Sequence, residues 1–311
     1  MNKIYIVAAA DERYAMLFCV MAASVLYRFS SENCLCFKLL TDELSDESKA
    51  RIEALRKIRE CRIDIVPVKR ADLELFPTFA HLSPLANARL LIPSLLPDLH
   101  KVIYLDCDVI ARSDVSRLWD WDLGDFPIAA CRDFGVTSEE LRPRGFHLSS
   151  YFNSGVLIMN LDQMRKMNFE NAINLAASNP KLPADQDLLN DAFKSNWFQL
   201  PTKWNVQSEL YLPLLRQYSP EVRRDFKNAL KHPAIIHFAG RKPTSCRFRG
   251  RYRRLFWKYL RMTEYRDYKI PDWSIYNYCW RYIPNPVLHL GSRIKQAILS
   301  FLKHFQAGSS K

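Results

Sequence analysis

Short apolar runs alternate with segments of helical spacing along the first 240 residues of the chain. Runs rich in β-branched and aromatic residues are typical of buried strands, whereas apolar residues three or four positions apart are typical of helices. The predicted strands cover residues 4–10, 34–40, 62–68, 102–105, 127–131, 153–160 and 235–238. The predicted helices cover residues 14–28, 45–60, 87–96, 161–177 and 186–194, with Ser45 and Ser48 as candidate caps of the second helix.

This alternation predicts an α/β fold with a mostly parallel, doubly wound sheet. In such a sheet, ligands bind outside the carboxyl ends of the strands, so the loops that follow strands carry the function. Four acids follow predicted strands: Asp11, Asp106, Asp108 and Asp133. We therefore expect these four side chains to face one crevice.

Two of these acids carry the strongest chemical signal in the chain. Asp106 and Asp108 lie one residue apart at the end of the apolar run KVIYL. Paired carboxylates on a rigid strand end suit a hard divalent cation, which could neutralise a diphosphate. An Asp-x-Asp triplet is a weak pattern by itself, and two more occur, at residues 120–122 and 185–187. The first is typical of a turn with helix-capping acids and the second of the opening turn of a helix.

Composition limits the kinds of nucleotide site that the chain can build. With 311 residues, 48% of them hydrophobic, the chain can bury one large core or two small ones. It has only 8 glycines and no Gly-x-Gly-x-x-Gly or P-loop motif. A bound nucleotide would therefore be held by a metal and by side chains, without a glycine-rich cradle.

Charge separates a body from a tail. Residues 241–311 contain 16 basic and 3 acidic residues, whereas residues 1–240 contain 29 basic and 30 acidic ones. A near-neutral body with a basic, aromatic-rich tail predicts chemistry in the body and contact between the tail and an anionic surface.

Cysteine usage and hydropathy predict the compartment. The 8 cysteines form no Cys-x-x-Cys pair, which disfavours a zinc site or a disulfide framework and favours a reducing cytoplasm. Asp11, Glu12 and Arg13 interrupt the N-terminal apolar stretch, so no signal peptide is expected. No apolar run reaches the roughly 18–20 residues of a membrane-spanning helix. We therefore expect a soluble or peripheral protein.

A family resemblance rests on blocks that occur in one order. They are AADERY at 9–14, ARL at 88–90, YLDCDV at 104–109, YFNSGVL at 151–157 with MNL at 159–161, DQDLLN at 185–190, and HFAG at 237–240 with KP at 242–243. Together they resemble the retaining glycosyltransferases of family eight over about residues 4–245. Within that family the pattern most resembles the bacterial lipopolysaccharide galactosyl- and glucosyltransferases, and more distantly the glycogenins.

The resemblance implies a single GT-A type nucleotide-sugar-binding domain at 1–245, followed by a basic, helical extension at 246–311. It implies Mn²⁺, with Mg²⁺ as an alternative, and a UDP-sugar donor. The implied metal ligands are Asp106, Asp108 and His237. The residues implied around the donor are Ala9, Asp11, Arg13 and Tyr14 at the nucleoside, Arg89 at the sugar, Cys107 between the metal-binding acids, and Gly240 with Lys242 at the diphosphate. The implied catalytic residues are Asp133, Asn153, Asp185 and Gln186.

The resemblance also implies a reaction, namely transfer of glucose or galactose to a glycan hydroxyl with retained configuration. No glutamate stands where a dedicated nucleophile is expected, and Gln186 lies at that position. Because an amide is a poor nucleophile, we favour same-face attack, with the leaving phosphate taking the acceptor proton. Two departures affect this prediction. Arg13 stands where the bacterial relatives usually carry Asn, and the loop at 237–245 is shortened, with Thr244 in place of Trp.

The sequence of the tail predicts the cellular location of the protein. Val287, Leu290, Ile294, Ile298 and Phe305, with Phe301 or Leu302, form one apolar helical stripe with basic residues around it. That pattern favours a helix on an anionic membrane, and an ordinary packed helix is the alternative. We expect a peripheral protein on the inner face of the plasma membrane, with lipopolysaccharide core or another lipid-linked glycan as acceptor. No nucleic-acid motif accompanies the basic residues, so no nucleic-acid partner is expected.

Two rival hypotheses remain open at the level of the sequence. The departures at Arg13 and at residues 237–245 motivate the hypothesis of a non-catalytic family member that binds a nucleotide or a glycan. The intact Asp106, Asp108, His237, Asn153 and Gln186 argue against it. An inverting transferase on a similar sheet would instead require a catalytic base beside the acceptor.

Overall fold

The computed structural model describes residues 2–78, 83–194, 196–207 and 209–283. The chain forms two compact units. The first contains Met1–Gly240 with Arg254–Tyr268, and the second contains Arg241–Arg253 with Lys269–Lys311. Residues 254–268 group with the first unit, and the division of the chain after residue 245 stays a prediction. The apolar stripe predicted at 287–305 lies outside the described residues.

The strands of the described part of the chain form one large and one small sheet. They are β1 Lys3–Ala9, β2 Cys34–Thr41, β3 Arg62–Pro67, β4 Lys101–Leu105, β5 Val109–Ala111, β6 Ile128–Arg132, β7 Phe152–Asn160, β8 Phe198–Gln199 and β9 Ile235–His237. The large sheet has the order β3-β2-β1-β4-β7-β6-β8, and β5 pairs with β9 in the small one. Strands β3, β2, β1 and β4 are parallel to each other, whereas β7 runs antiparallel to both β4 and β6. The prediction of a mostly parallel α/β sheet is confirmed.

Helices surround this sheet. The α-helices are α1 Ala15–Arg28, α2 Asp46–Glu53, α3 Arg70–Leu73, α4 Ile92–Leu95, α5 Ser116–Trp119, α6 Ser138–Leu141, α7 Leu161–Lys166, α8 Phe169–Ala177, α9 Asp185–Phe193, α10 Pro220–Lys231, α11 Arg253–Leu260 and α12 Ile275–Trp280. The 3-10 segments are Ala54–Lys57, Pro84–Leu91, Arg142–Arg144, Thr202–Trp204 and Glu209–Gln217.

Three predicted helices differ from the structure in their regularity. The helix predicted at 161–177 is broken into α7 and α8 by Asn168, whose φ of 55° lies in the left-handed region. An α-helix cannot continue through that conformation, and asparagine is one of the few residues that adopt it readily. The helices predicted at 45–60 and 87–96 are part α and part 3-10. Ser45 caps α2 as predicted, because its side chain accepts a hydrogen bond from the amide of Ser48.

The strands and helix α1 bury their apolar side chains in the core of the body, which is why their hydrophobic pattern predicted them. Helix α1 is almost entirely apolar and buries eleven of its residues, and its Phe18 ring packs edge-on against Phe37 of β2. Side chains such as Val7, Tyr104 and Leu157 from three neighbouring strands belong to one buried cluster. Burial of this apolar surface is the main force that holds the sheet and the helices together.

Helix α11 belongs to the body because of its aromatic side chains. Phe256, Tyr259 and Leu260 are buried, and the Phe256 ring meets Phe238 edge-on. The Tyr259 hydroxyl accepts a hydrogen bond from Arg28 at 3.0 Å and lies 3.3 Å from the carbonyl of Ala111. Aromatic residues in this basic segment therefore pack inside the protein. Within the described residues, no helix is both long enough and apolar enough to cross a membrane.

Candidate active site

The small sheet brings a histidine from late in the chain to the paired acids. Strands β5 and β9 are antiparallel, and their register places Val109 opposite His237. The amide of Phe238 donates to the carbonyl of Asp108 at 2.9 Å. Asp108 and His237 therefore become neighbours through backbone pairing, which leaves little freedom in their relative position.

Asp106, Asp108 and His237 form a compact group of possible metal ligands. One ligand atom from each residue lies within 4.8 Å of the others. His237 Nε2 is 3.3 Å from Asp108 Oδ1 and 3.7 Å from Asp106 Oδ2. Two carboxylates and one imidazole are a suitable donor set for a divalent cation that prefers oxygen ligands. These residues therefore fit the metal site that the sequence predicts.

Gly155 of β7 lies directly against this group. A Cβ atom at this position would be 2.4 Å from His237 Cε1 and 2.8 Å from Asp106 Oδ2. Contacts this short are excluded, so a residue with a side chain here would displace His237 and Asp106. The carbonyl of Gly155 also accepts a hydrogen bond from the amide of Asp106 at 2.8 Å. This hydrogen bond fixes the backbone of Asp106 next to Gly155.

Arg89 ties the metal group to a second buried acid. Its Nη2 lies 3.0 Å from Asp106 Oδ1, and its Nε lies 2.8 Å from Asp185 Oδ2. Its Nη1 donates to the carbonyl and the hydroxyl of Ser154. Burial disfavours the charge on Arg89, but Asp106 and Asp185 outweigh it and hold the pKa of the guanidinium above its ordinary value. Burial raises the pKa of Asp185, although the charge of Arg89 opposes that shift.

The amide of Gln186 is held at both ends. Its Nε2 donates to Asp133 Oδ2 at 2.7 Å, and its Oε1 accepts from the amide of Ser154 at 3.0 Å. Asn153 Nδ2 donates to the same carboxylate oxygen of Asp133 at 3.2 Å. The other oxygen of Asp133 accepts from the amide of Gly135 at 2.7 Å. Asp133, Asn153 and Gln186 therefore form one network with fixed side chains.

An irregularity in β7 frees the backbone groups that serve this network. The pairing of β6 with β7 steps from Ala130 and Leu157 to Cys131 and Asn153, so the residues between are not paired with β6. The amide of Ser154 bonds to Gln186 instead, and the amide of Gly155 bonds to Asn153 Oδ1. Bulges of this kind often occur beside functional sites, where they redirect side chains.

Of the four predicted nucleoside residues, Asp11 and Arg13 border a cleft that follows β1, whereas Ala9 and Tyr14 do not line it. A cleft of about 440 Å³ is bordered by Asp11, Glu12, Arg13, Asp42, Glu43, Leu44 and Ser45. Arg13 donates to Asp11 Oδ2 at 2.9 Å, and Ser83 Oγ donates to the same oxygen at 3.0 Å. The other oxygen of Asp11 accepts from the amide of Tyr14. The cleft volume suits a nucleoside-sized ligand.

The remaining predicted residues are placed as follows. The thiol of Cys107 is buried and lies 3.2 Å from the carbonyl of Ala9, so it joins β1 to the loop after β4. Gly240 has a φ of 86°, a conformation that glycine adopts without strain. Lys242 belongs to the second compact unit, and its role at the diphosphate stays a prediction.

Sequence reasoning missed three residues that contact this site: Ser154, Gly155 and Asn205. Ser154 and Gly155 stand inside a recognised block, but their contacts depend on the irregular pairing of β7. Asn205 follows a short 3-10 segment, and its side chain bridges His237 and Asn153. No periodic pattern surrounds Asn205, so only the structure reveals it.

Comparison with known proteins identifies the family. The model of glycosyl transferase family 8 matches residues 5–243. General stress protein A of Bacillus subtilis (strain 168) is 28% identical over 269 residues, which cover 84% of this chain and 94% of that protein. A putative glycosyltransferase of Haemophilus influenzae is 30% identical over 196 residues, which cover 61% and 59%. The solved structure of galactosyltransferase LgtC with donor and acceptor sugar analogues has a TM-score of 0.73 at 28% identity, covering 84% of this chain and 96% of that one.

The mostly parallel α/β sheet and the likeness to the solved galactosyltransferase show a glycosyltransferase fold of the GT-A type, with an Asp-Asp-His group that could hold a metal. The chain belongs to glycosyl transferase family 8. Membership implies a nucleotide-sugar donor and a glycan acceptor, and the Asp-x-Asp site suggests a divalent metal.

Proposed function

We propose that this protein transfers a hexose, glucose or galactose, from a UDP-sugar to a hydroxyl of a glycan acceptor, with retained configuration. The acceptor we propose is lipopolysaccharide core or another lipid-linked surface glycan. One observation carries the proposal: hydrogen bonds join the possible metal-ligand group of Asp106, Asp108 and His237 to the network around Gln186. They run from His237 through Asn205 and Asn153 to Gln186. A transferase needs its leaving-group site and its sugar site side by side.

The proposed metal is Mn²⁺, with Mg²⁺ as an alternative. Carboxylate oxygens are hard, negatively charged ligands that suit a divalent cation of this kind, and one imidazole is acceptable beside them. When bound, the cation would neutralise charge that develops on the UDP leaving group. Asp106, Asp108 and His237 would hold it. Asp106 is itself held by Arg89 and by the hydroxyl of Tyr104, which donates to Asp106 Oδ1 at 2.9 Å. These partners keep the carboxylate in one orientation.

Four residues are proposed to surround the donor sugar. Arg89 and Asp185 would orient its hydroxyls, because their charged groups meet beside the metal ligands. Asn153 and Asp133 would stabilise positive charge on the sugar ring and hold Gln186. Ala9, Asp11, Arg13 and Tyr14 are proposed at the nucleoside.

The contacts of Gln186 support same-face attack. Its Oε1 lies within hydrogen-bond distance of three donors, namely the amide of Ser154, the hydroxyl of Ser154 and the side-chain amide of Asn153. Hydrogen bonds withdraw electron density from that oxygen, so it is a weaker nucleophile than a free amide. We therefore propose that Gln186 positions the sugar, and that the acceptor hydroxyl attacks from the side of the departing phosphate.

The direct test is release of UDP from a panel of UDP-sugars, with Mn²⁺ and with chelator, for the full chain and for Asp108→Ala. Metal-dependent turnover of one sugar, lost in Asp108→Ala, is the expected result. Asp122→Ala is a matched control, because Asp122 belongs to another Asp-x-Asp triplet and accepts a hydrogen bond from the amide of Gly124 in a turn. It should behave like the unaltered chain. Failure to bind either UDP or Mn²⁺ would disprove the proposal.

The alternative is a non-catalytic member that binds a nucleotide or glycan. The hydrogen bonds around Arg13 motivate it, because Arg13 occupies an oxygen of Asp11 that a nucleobase could use. Tight binding of Mn²⁺ and UDP without turnover, even with a lipid-linked acceptor present, would favour this alternative.

Membrane attachment through the second unit is part of the proposal. Within this unit Arg247 lies over the rings of Tyr276 and Trp280, and Trp273 and Tyr276 are 61% and 68% exposed. Exposed aromatic residues among arginines suit the interface of an anionic membrane. The full chain should sediment with phosphatidylglycerol vesicles and not with phosphatidylcholine vesicles. Trp273→Ala with Tyr276→Ala should weaken sedimentation, whereas Leu175→Ala on the body, where Leu175 is 70% exposed, should not.

A further inference from the structure

Asn205 links the metal-ligand histidine to the sugar side of the site. The residue is fully buried. Its Oδ1 lies 3.0 Å from His237 Nδ1, and its Nδ2 lies 2.8 Å from Asn153 Oδ1. Asn205 is thus the bridge between the His237 imidazole and the network of Asn153, Asp133 and Gln186.

The backbone holds Asn205 firmly in this position. Its amide bonds to the carbonyl of Thr202 at 3.1 Å. The next residue, Val206, donates to the carbonyl of Ile235 and accepts from the amide of His237. Asn205 and His237 therefore belong to one hydrogen-bonded piece of backbone beside β9.

The direction of each amide follows from the donors and acceptors around it. The backbone amide of Gly155 can only donate, and it points to Asn153 Oδ1 at 3.0 Å. That contact makes the facing atom of Asn153 its oxygen. The atom of Asn205 that faces this oxygen must be its nitrogen, so the oxygen of Asn205 faces His237.

The same reasoning fixes the histidine tautomer. A side-chain amide oxygen accepts and does not donate, so the Nδ1 of His237 must carry the proton that it shares with Asn205. The lone pair of the neutral imidazole then lies on Nε2. This is the nitrogen that faces the oxygens of Asp106 and Asp108.

We propose that Asn205 is a positioning residue that holds His237 in the Nδ1-protonated tautomer, with Nε2 directed at the metal. This inference deepens the proposed function and rests on its metal site. Residues that orient metal-bound histidines through the second ring nitrogen typically raise metal affinity by roughly 10- to 100-fold. Asn205 also makes the position of the histidine depend on Asn153.

The test compares the affinity for Mn²⁺, measured by titration calorimetry, in the full chain and two substitutions. Asn205→Ala removes the acceptor, and the affinity should fall roughly 10- to 100-fold. Asn205→Asp keeps an acceptor oxygen toward His237 Nδ1, so the affinity for Mn²⁺ should not show the roughly 10- to 100-fold fall expected for Asn205→Ala. Because the new oxygen would face Asn153 Oδ1, turnover of the UDP-sugar should nevertheless fall. A merely structural role for Asn205 would not separate the two variants in this way.

Two controls make the result decisive. Asn87 is as deeply buried, and its amide donates to carbonyls of Leu73 and Phe76, away from the metal ligands. Asn87→Ala should lower the unfolding temperature without a change in Mn²⁺ affinity. His237→Ala should lose Mn²⁺ affinity. If the unaltered chain fails to bind Mn²⁺, the metal site of the proposed function is wrong. If only His237→Ala weakens binding and Asn205→Ala does not, the inference about Asn205 alone is overturned.

Discussion

Arg89 and Asp185 form a buried ion pair, with Nε 2.8 Å from Oδ2 and both side chains less than a tenth exposed. The guanidinium also bonds to Asp106, so one cation balances two acids. A buried carboxylate that loses its partner is strongly destabilising, because water cannot solvate it.

We expect Arg89→Met to lower the free energy of unfolding by about 3 kcal/mol, the usual order for a broken buried pair. Arg89→Lys should lower it less, because the charge remains although the fork of donors is lost. Urea unfolding at neutral pH measures both. Equal stability of Arg89→Met and the unaltered chain would show that Asp185 does not depend on this cation.

Gly155→Ala should disrupt the metal site with little effect on the rest of the fold. The new methyl group would overlap His237 and Asp106, and both ligands would have to move. We expect the affinity for Mn²⁺ to fall by roughly tenfold or more, about 1.4 kcal/mol. Gly124→Ala is a useful control, because nothing lies within 4 Å of its Cβ although its φ is 51°. That control should lose about 1 kcal/mol of stability from backbone strain and keep its Mn²⁺ affinity.

Glu12 should make stability depend on pH. Its carboxylate accepts from the amide and hydroxyl of Ser45 and from the hydroxyl of Ser48, and the Ser45 amide contributes most to lowering the pKa of Glu12. A lowered pKa in the folded state stabilises the protein above the ordinary value of 4.5, and that stabilisation disappears as the pH falls below it.

The matching experiment is Glu12→Gln, unfolded with urea at several pH values. The substitution should cost about 1 kcal/mol at pH 7, a modest value because the side chain is exposed to solvent. The difference from the unaltered chain should shrink as the pH falls through about 4.5 and below. A difference that grows on acidification would contradict the assignment.

Tyr259 should be essential for the stability of helix α11 on the body. Its buried hydroxyl accepts from Arg28 and lies beside the carbonyl of Ala111. Tyr259→Phe should lower the free energy of unfolding by about 1–2 kcal/mol, because buried polar partners are left unsatisfied. Tyr27→Phe removes a half-exposed hydroxyl whose hydrogen-bond partner, Lys258 of α11, is itself exposed, so it should have a smaller effect than Tyr259→Phe.

The parallel half of the sheet was predictable because β1, β2 and β4 are mostly apolar and β3 alternates apolar and polar residues, with helical spacing between the strands. The hydrophobic pattern does not, however, encode strand direction, so the antiparallel course of β7 came only from the structure. The break at Asn168 was invisible for a similar reason: the residues on both sides keep helical spacing.

Those residues of the candidate site that are unusual in their local sequence could be predicted. Asp106 and Asp108 are conspicuous because acids end an apolar strand, and the family blocks supplied His237 and Gln186. Asn205 and Gly155 matter through contacts with residues far away in sequence, and neither type of residue is unusual in its local context. The basic segment before residue 268 was interpreted as a surface tail because it contains many arginines. The structure shows that Phe256, Tyr259 and Leu260 within it are buried.

Three consecutive residues in the irregular stretch of β7 make three different contacts in the site. Asn153 bonds to Asp133, Ser154 bonds to Arg89, and Gly155 lies beneath His237. A slip of one residue along this strand would remove all three contacts together, because each contact depends on the same register. The contacts of the candidate site therefore depend on the pairing of β7 at the centre of the sheet. The Mn²⁺ binding proposed for this site should consequently be lost whenever the register of β7 is lost.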